Sequence, residues 1–188
     1  INGSFGKDFS PHKEWVWDAL KYAESKDVLV VFAAGNDGKN IDTEPSFPSD
    51  TADKKTEIVS NVLVIGALNH EYGSKMVADF SNYGAVNVDV FAPGVKIYAT
   101  IPDGKYKYEQ GTSMASPNVA GVAAMIRSYY PNLKAAQVKQ IIMQSGTPIN
   151  FDVEIGEEKE LMPFSQICVS GKIVNAYNAM KMAAELSK

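Results

Sequence analysis

The residues best placed to do chemistry lie in Gly111-Thr112-Ser113-Met114-Ala115-Ser116-Pro117, which runs on through Asn118-Val119-Ala120-Gly121. The string sets a serine where a loop becomes a helix. The first backbone N–H groups of a helix have no intrahelical acceptor and carry partial positive charge. A serine there can offer its Oγ to a carbonyl while its own N–H faces the oxyanion that forms. Pro117 falls in the first turn, where a missing N–H costs least. Helix capping alone also explains a lone serine in such a place, so the string needs support from elsewhere. Other reactive side chains offer little. His12 starts a helix in Pro-His-Lys and His70 sits in a polar Asn-His-Glu turn, both surface contexts. Cys168, between Ile167 and Val169, reads as a buried packing residue. Glu157, Glu158 and Glu160 read as a solvated loop, and the chain holds no helix-loop-helix calcium string.

Around Ser113 the pattern is that of alternating strands and helices. From Pro11 to Lys26 the apolar residues Val16, Ala19, Leu20 and Ala23 share one helix face, with Ser10 placed as N-cap and Pro11 as first helical residue. Val28 to Ala34 is an apolar, β-branched run without alternation, as in a strand buried on both faces of a parallel sheet. Asn61 to Ala67 repeats the pattern. Residues 37–60 between them read as a long surface loop, of a length often tied to function. Short strands are expected over Val88 to Phe91 and Lys96 to Thr100, with Tyr106 and Tyr108 closing a hairpin through Asp103-Gly104. The helix from Ser113 to Tyr129 is rich in alanine, serine and glycine, which lets it approach a sheet closely. Leu133 to Ser145 and Ile173 to Leu186 complete the helices. The expected fold is α/β: a doubly wound, mostly parallel sheet with helices on both faces.

Composition narrows the function. The chain has 188 residues, 45% apolar and 21% charged, which fits one globular domain or two very small ones and excludes disorder. Its 18 basic and 22 acidic residues give a net charge of −4, with no basic patch for nucleic acid. No apolar run approaches the ~20 residues that span a bilayer. A single cysteine excludes an internal disulfide framework. The chain lacks an initiator Met and a signal peptide, and its first residues read as a strand entering a glycine turn. It is expected to be a piece of a longer protein.

The string from Gly111 to Gly121 closely resembles the nucleophile motif of the subtilisin-like serine peptidases, usually written Gly-Thr-Ser-Met-Ala-Xaa-Pro-His-Val-Ala-Gly. Val30-Val31-Phe32-Ala33-Ala34-Gly35-Asn36 independently resembles that family's strand ending in the oxyanion-hole asparagine, and the two motifs stand in the family's order. The likeness extends over most of the chain. Ile1-Asn2-Gly3-Ser4-Phe5-Gly6 is similar to the substrate-binding strand, and Phe47-Pro48 to an aromatic-proline step near the specificity pocket that is often cis. Phe80-Ser81-Asn82-Tyr83-Gly84, Val90-Phe91-Ala92-Pro93-Gly94 and Gly171-Lys172-Ile173-Val174-Asn175-Ala176 resemble further family signatures.

The resemblance implies a serine endopeptidase, with residues 1–188 the C-terminal portion of one subtilisin-like domain truncated at its N-terminal side. It implies Ser113 as nucleophile and Asn36 as oxyanion donor. Ser4, Phe5 and Gly6 would pair with the substrate backbone, and Ala33, Ala34 and Gly35 would line the first specificity pocket, where small side chains suit a large apolar one. The triad Asp and His belong to motifs of the Asp-Ser/Thr-Gly and His-Gly-Thr kind, and neither string is present. Asp37 directly follows Asn36, outside any Asp-Ser/Thr-Gly string, and is not read as the triad acid. Asn118 replaces a motif histidine that is not the triad base. The expected partners are a peptide or protein substrate and the missing N-terminal part of the domain, with no nucleic acid or membrane. The fragment alone would expose strand edge and apolar surface, hence self-associate. No metal site is named; calcium enters only through the resemblance, as does an extracellular or periplasmic location. The alternative is a non-catalytic relative that binds peptides or packs on a partner, against which the intact Ser113 and Asn36 argue. A nucleotide-binding domain fails because no Gly-Xaa-Gly-Xaa-Xaa-Gly follows a predicted strand.

Overall fold

A computed structural model describes residues 1–44, 46–53 and 55–188; Pro45 and Lys54 of the long loop lie outside the described residues. In chain order the elements are β1 (Asn2–Gly3), α1 (Lys13–Ser25), β2 (Val30–Ala33), β3 (Val62–Leu68) and β4 (Val90–Pro93). Then come β5 (Ile97–Ile101), β6 (Lys105–Glu109), α2 (Thr112–Tyr129), α3 (Ala135–Ser145) and β7 (Thr147–Pro148). The chain ends in β8 (Asp152–Ile155), β9 (Glu160–Pro163), β10 (Lys172–Ile173) and α4 (Ala176–Leu186). Among the described residues the main sheet has the order β1-β2-β3-β4-β10-β7. All neighbours in it are parallel except β10 and β7.

The unalternating apolar runs do what their composition requires. Val31, Leu63, Ile65, Val90 and Ala92 face α2, α3 and α4, and Ala115, Val119 and Ile126 of α2 meet them. Val30, Phe32, Val62, Val64 and Phe91 face the other way, onto Leu20 of α1 and onto Val153, Ile155 and Phe164. Both faces are covered, so the strands have no polar side and the sheet is doubly wound. Asp103 and Gly104, at φ 64° and 65°, make the tight turn between β5 and β6 that their sequence suggested. No helix among the described residues is long and apolar enough to cross a membrane.

Several boundaries differ from the sequence reading. Helix α1 starts at Lys13 with His12 at its N-cap and no side-chain cap, so Ser10 and Pro11 stand before it. Ile173 belongs to β10; α4 begins later, where the Asn175 side chain accepts the Asn178 N–H. The β8–β9 hairpin is an addition to the sequence reading, although Phe151-Asp152-Val153-Glu154-Ile155 alternates apolar and polar as a half-buried strand does. The long loop is also less superficial than its polarity implied. Asp50, Thr51 and Val59 are buried, and the loop is zipped to the segment after β1 by paired backbone bonds between Lys7 and Phe47. The Phe47-Pro48 peptide is cis.

Candidate active site

Helix α2 presents Ser113 in its first turn, behind Gly111, whose φ of 140° favours glycine. The first helical residue, Thr112, joins this end to the strand β2 side of the site. Its N–H and its hydroxyl both donate to Asn36 Oδ1, at 2.8 and 2.9 Å. The same hydroxyl accepts the Gly35 N–H at 3.1 Å. With its oxygen doubly engaged, the Asn36 amide is oriented, and Nδ2 has no acceptor among the described residues. The Ser113 N–H also has none, as expected of an early helical position.

A second tie fixes the serine against β1. Ser4 Oγ donates to the Ser113 carbonyl at 2.9 Å, and Ser113 Oγ lies 3.5 Å from the Ser4 carbonyl. One turn on, Ser116 Oγ donates to Asn2 Oδ1 at 2.6 Å. The bend after β2 is held by Asn82, whose Nδ2 donates to the Ala34 carbonyl and whose Oδ1 accepts the Asp37 and Lys39 N–H groups. Gly35 has φ 106°, and a Cβ there would lie 2.3 Å from Asn82 Nδ2, so no other residue fits without moving that clamp. Asn118 donates to the Pro93 carbonyl and steadies the next turn of α2 against β4.

Phe5, Gly6, Ala33, Gly35, Asn36 and Ser113 meet around one cleft of about 260 Å³. Ser4 reaches it through Ser113. Ala34 does not: it is 1% exposed and packs with Val30 and Phe32 on the α1 side, because side chains alternate along the strand. It lines instead an adjoining cavity of about 320 Å³. Thr112, Asn82 and Ser116 position the site but were not singled out from sequence. Thr112 and Ser116 lie within the serine motif and Asn82 within a second signature, so the available signal was membership of those strings.

The remaining candidates fall where their contexts placed them. His12 is exposed and stacks on Trp15 with ring centroids 4.2 Å apart. His70 is exposed, between Asn69 Oδ1 at 2.7 Å and Lys96 Nζ at 3.0 Å. Neither lines the cleft. Asp37 lines it but is exposed, with Lys39 Nζ 3.6 Å away. Cys168 is buried, and burial pushes its thiol pKa up, away from a reactive thiolate. Glu157, Glu158 and Glu160 are exposed. No three His, Cys, Asp or Glu side chains among the described residues converge as a metal site would need.

The chain matches the Subtilase family over residues 1–162. It is 40% identical over 150 residues to the Thermophilic serine proteinase of Bacillus sp. (strain AK1), covering 80% of this chain and 33% of that protein. To Subtilisin DY of Bacillus licheniformis it is 38% identical over 130 residues, 69% of this chain and 43% of the relative. Among solved structures, the proteases from Pseudoalteromonas arctica PAMC 21717 superpose with a TM-score of 0.73 at 30% identity, over 97% of this chain and 50% of theirs. The self-cleaved protease domain of PatA gives 0.70 at 26% identity, over 98% of this chain and 61% of that one. The chain thus spans 33% to 61% of the length of these relatives. With the parallel sheet, the Ser113 helix and the Asn36 bend in the arrangement described, the chain belongs to the subtilase family of serine peptidases.

Proposed function

We propose that residues 1–188 form the C-terminal portion of one serine endopeptidase domain and carry its nucleophile and oxyanion donors. The observation that supports this best is the Thr112 clamp on Asn36 Oδ1, which leaves Asn36 Nδ2 and the Ser113 N–H as two donors without acceptors. Ser113 Oγ attacks the peptide carbonyl, and those donors meet the negative charge that develops on its oxygen. The substrate lies as an added strand along Ser4 to Gly6, a common mode of peptide binding at a sheet edge. β1 is such an edge in the described sheet. The proton from Ser113 goes to a histidine held by an aspartate, both supplied by an N-terminal part of the same domain. That part would also cover the apolar groove of about 520 Å³ between β1 and α1, walled by Phe5, Trp15, Leu20 and Phe32. Without it the chain should self-associate. An extracellular or periplasmic location is in keeping with relatives such as the Cell wall-associated protease of Bacillus subtilis. Calcium remains a proposal of the family likeness alone, and no step above uses it.

The test is Asn36→Leu in the protein that carries the full triad. The amide meets the oxyanion but barely meets the ground-state carbonyl, so kcat should fall with little change in KM. The expected loss is ~10² to 10³, the effect of removing one such donor from subtilisin, a relative of this chain. An unchanged kcat would remove Asn36 from this role. A non-catalytic reading draws on the absence of a histidine from the cleft. Labelling of Ser113 by a fluorophosphonate in the full protein, lost in Ser113→Ala, would exclude it.

A further inference from the structure

The cavity behind β2 adjoins the Ser113 cleft, and Ala33, Ser46 and Asp8 wall both. Ala33 and Ser46 are small side chains on the boundary that the two share. Beyond it the walls are Trp17, Phe47, Ile41 and Val64, a surface suited to a methylene stem. The cavity also presents Asp50, which is 4% exposed. Its carboxylate has a hydrogen bond from its own backbone N–H and no ion pair among the described residues. The nearby ammonium of Lys139 is taken by Glu57 at 2.7 Å and Asp89 at 3.4 Å. A buried carboxylate with so few partners is costly unless a cation meets it.

We propose, resting on the peptidase reading above, that this cavity receives a lysine or arginine side chain of the substrate and that Asp50 selects for its charge. The sequence expectation of an apolar side chain rested on the small residues Ala33, Ala34 and Gly35; Asp50 adds a carboxylate to the wall. The other charged groups on the wall are Asp8, Glu44 and Lys13. Asp8 is paired with Lys39, and the Lys13 ammonium stands over the Trp17 ring at 5.1 Å. From behind, Asp50 is faced by Asp89, Lys139 and Glu57. Burial, and then the charge of Asp89, push the Asp50 carboxyl up to about 7. An arriving cation would hold it ionised, so binding should tighten as pH rises from 6 to 8.

Removing this carboxylate should not cost the fold. A folded pKa raised from 3.8 to about 7 means stability present below the unfolded value and lost as pH rises through 7. Asp50→Asn should therefore match the parent chain near pH 4 and melt at a higher temperature at pH 8.

The first experiment titrates p-aminobenzamidine, a small fluorescent amidinium, into the 188-residue chain. Binding is expected, stronger at pH 8 than at pH 6 and weakened at least about tenfold by Asp50→Asn. No binding, or equal binding by Asp50→Asn, overturns the proposal. In the protein with its triad, peptides differing only before the scissile bond supply the second arm. Arginine should be cleaved faster than citrulline, and Asp50→Asn should reduce that ratio about tenfold or more. Fluorophosphonate labelling of Ser113 does not depend on that side chain. Amidine binding without labelling would sink the peptidase reading and leave the cation pocket standing; labelling without amidine binding would do the reverse.

Discussion

The 188-residue chain by itself is expected to hydrolyse peptides at no enzymic rate. A serine hydroxyl is a weak nucleophile until an adjacent base takes its proton. The chain has two imidazoles, and the structure sets both on the surface, His12 against Trp15 and His70 between Asn69 and Lys96. Neither borders the Ser113 cleft. What remains is the pair of donors, Asn36 Nδ2 and the Ser113 N–H. Subtilisin stripped of its triad loses ~2 × 10⁶ in kcat and keeps ~10³ to 10⁴ over water, which is the ceiling for this chain. The measurement is release of chromophore from a peptide anilide by the purified chain, beside its Ser113→Ala variant. Hydrolysis that needs Ser113 and survives mutation of both histidines would refute the account of a missing base. Hydrolysis lost on mutating His12 or His70 would identify a catalytic histidine in a surface position.

How much of this could be read from sequence follows from the range of each interaction. The run from Val30 to Ala33 lacks alternation, and buried strands have no polar face to alternate with, so β2 was legible. The Asp103-Gly104 turn was legible because positive φ at two adjacent positions is a local demand. Ser113 and Asn36 stood in strings specific enough to name their family. The clamp between Thr112 and Asn36 is different: it spans 76 positions, and nothing about a threonine before a serine announces its partner. Asp50 was hidden for the same reason. In a polar loop it looks solvated, and only the return of that loop under β2 buries it. Alternation along the strand divides the Ala33-Ala34-Gly35 string between the Ser113 cleft and the cavity behind β2. Ala33 and Gly35 reach the cleft, while Ala34 is turned away.

Lys139 is a buried cation whose ammonium is met by two carboxylates. It lies on α3 and is 2% exposed, in a stretch whose period predicts a helix but not a cation on its inner face. Its ammonium meets Glu57 and the buried Asp89. Asp89 Oδ2 accepts the Val64 N–H at 2.7 Å, and Oδ1 has no hydrogen bond, so the nearby positive charge is its compensation. Burial lowers the Lys139 pKa, but Asp89 and Glu57 outweigh it and hold the ammonium charged. Burial raises the Asp89 carboxyl to about 6, against the pull of Lys139. Lys139→Met keeps the stem and removes the charge, so the Asp89 carboxyl, no longer held down by Lys139, moves up further and at pH 8 must either stay ionised without a partner or take up a proton. Breaking a buried pair in this way costs ~3–5 kcal/mol. Asp89 has a raised folded pKa, so its ionised form opposes folding above about pH 6 and its protonated form does not below that. The loss in Lys139→Met should accordingly shrink between pH 8 and pH 5. The double variant Lys139→Met/Asp89→Asn should recover much of it, since the amide can still accept the Val64 N–H and no charge is left at position 89. Urea unfolding of the parent and the two variants at both pH values is the measurement. A loss equal at pH 8 and pH 5, with no recovery in the double variant, would show that Lys139 contributes through packing and not through its charge.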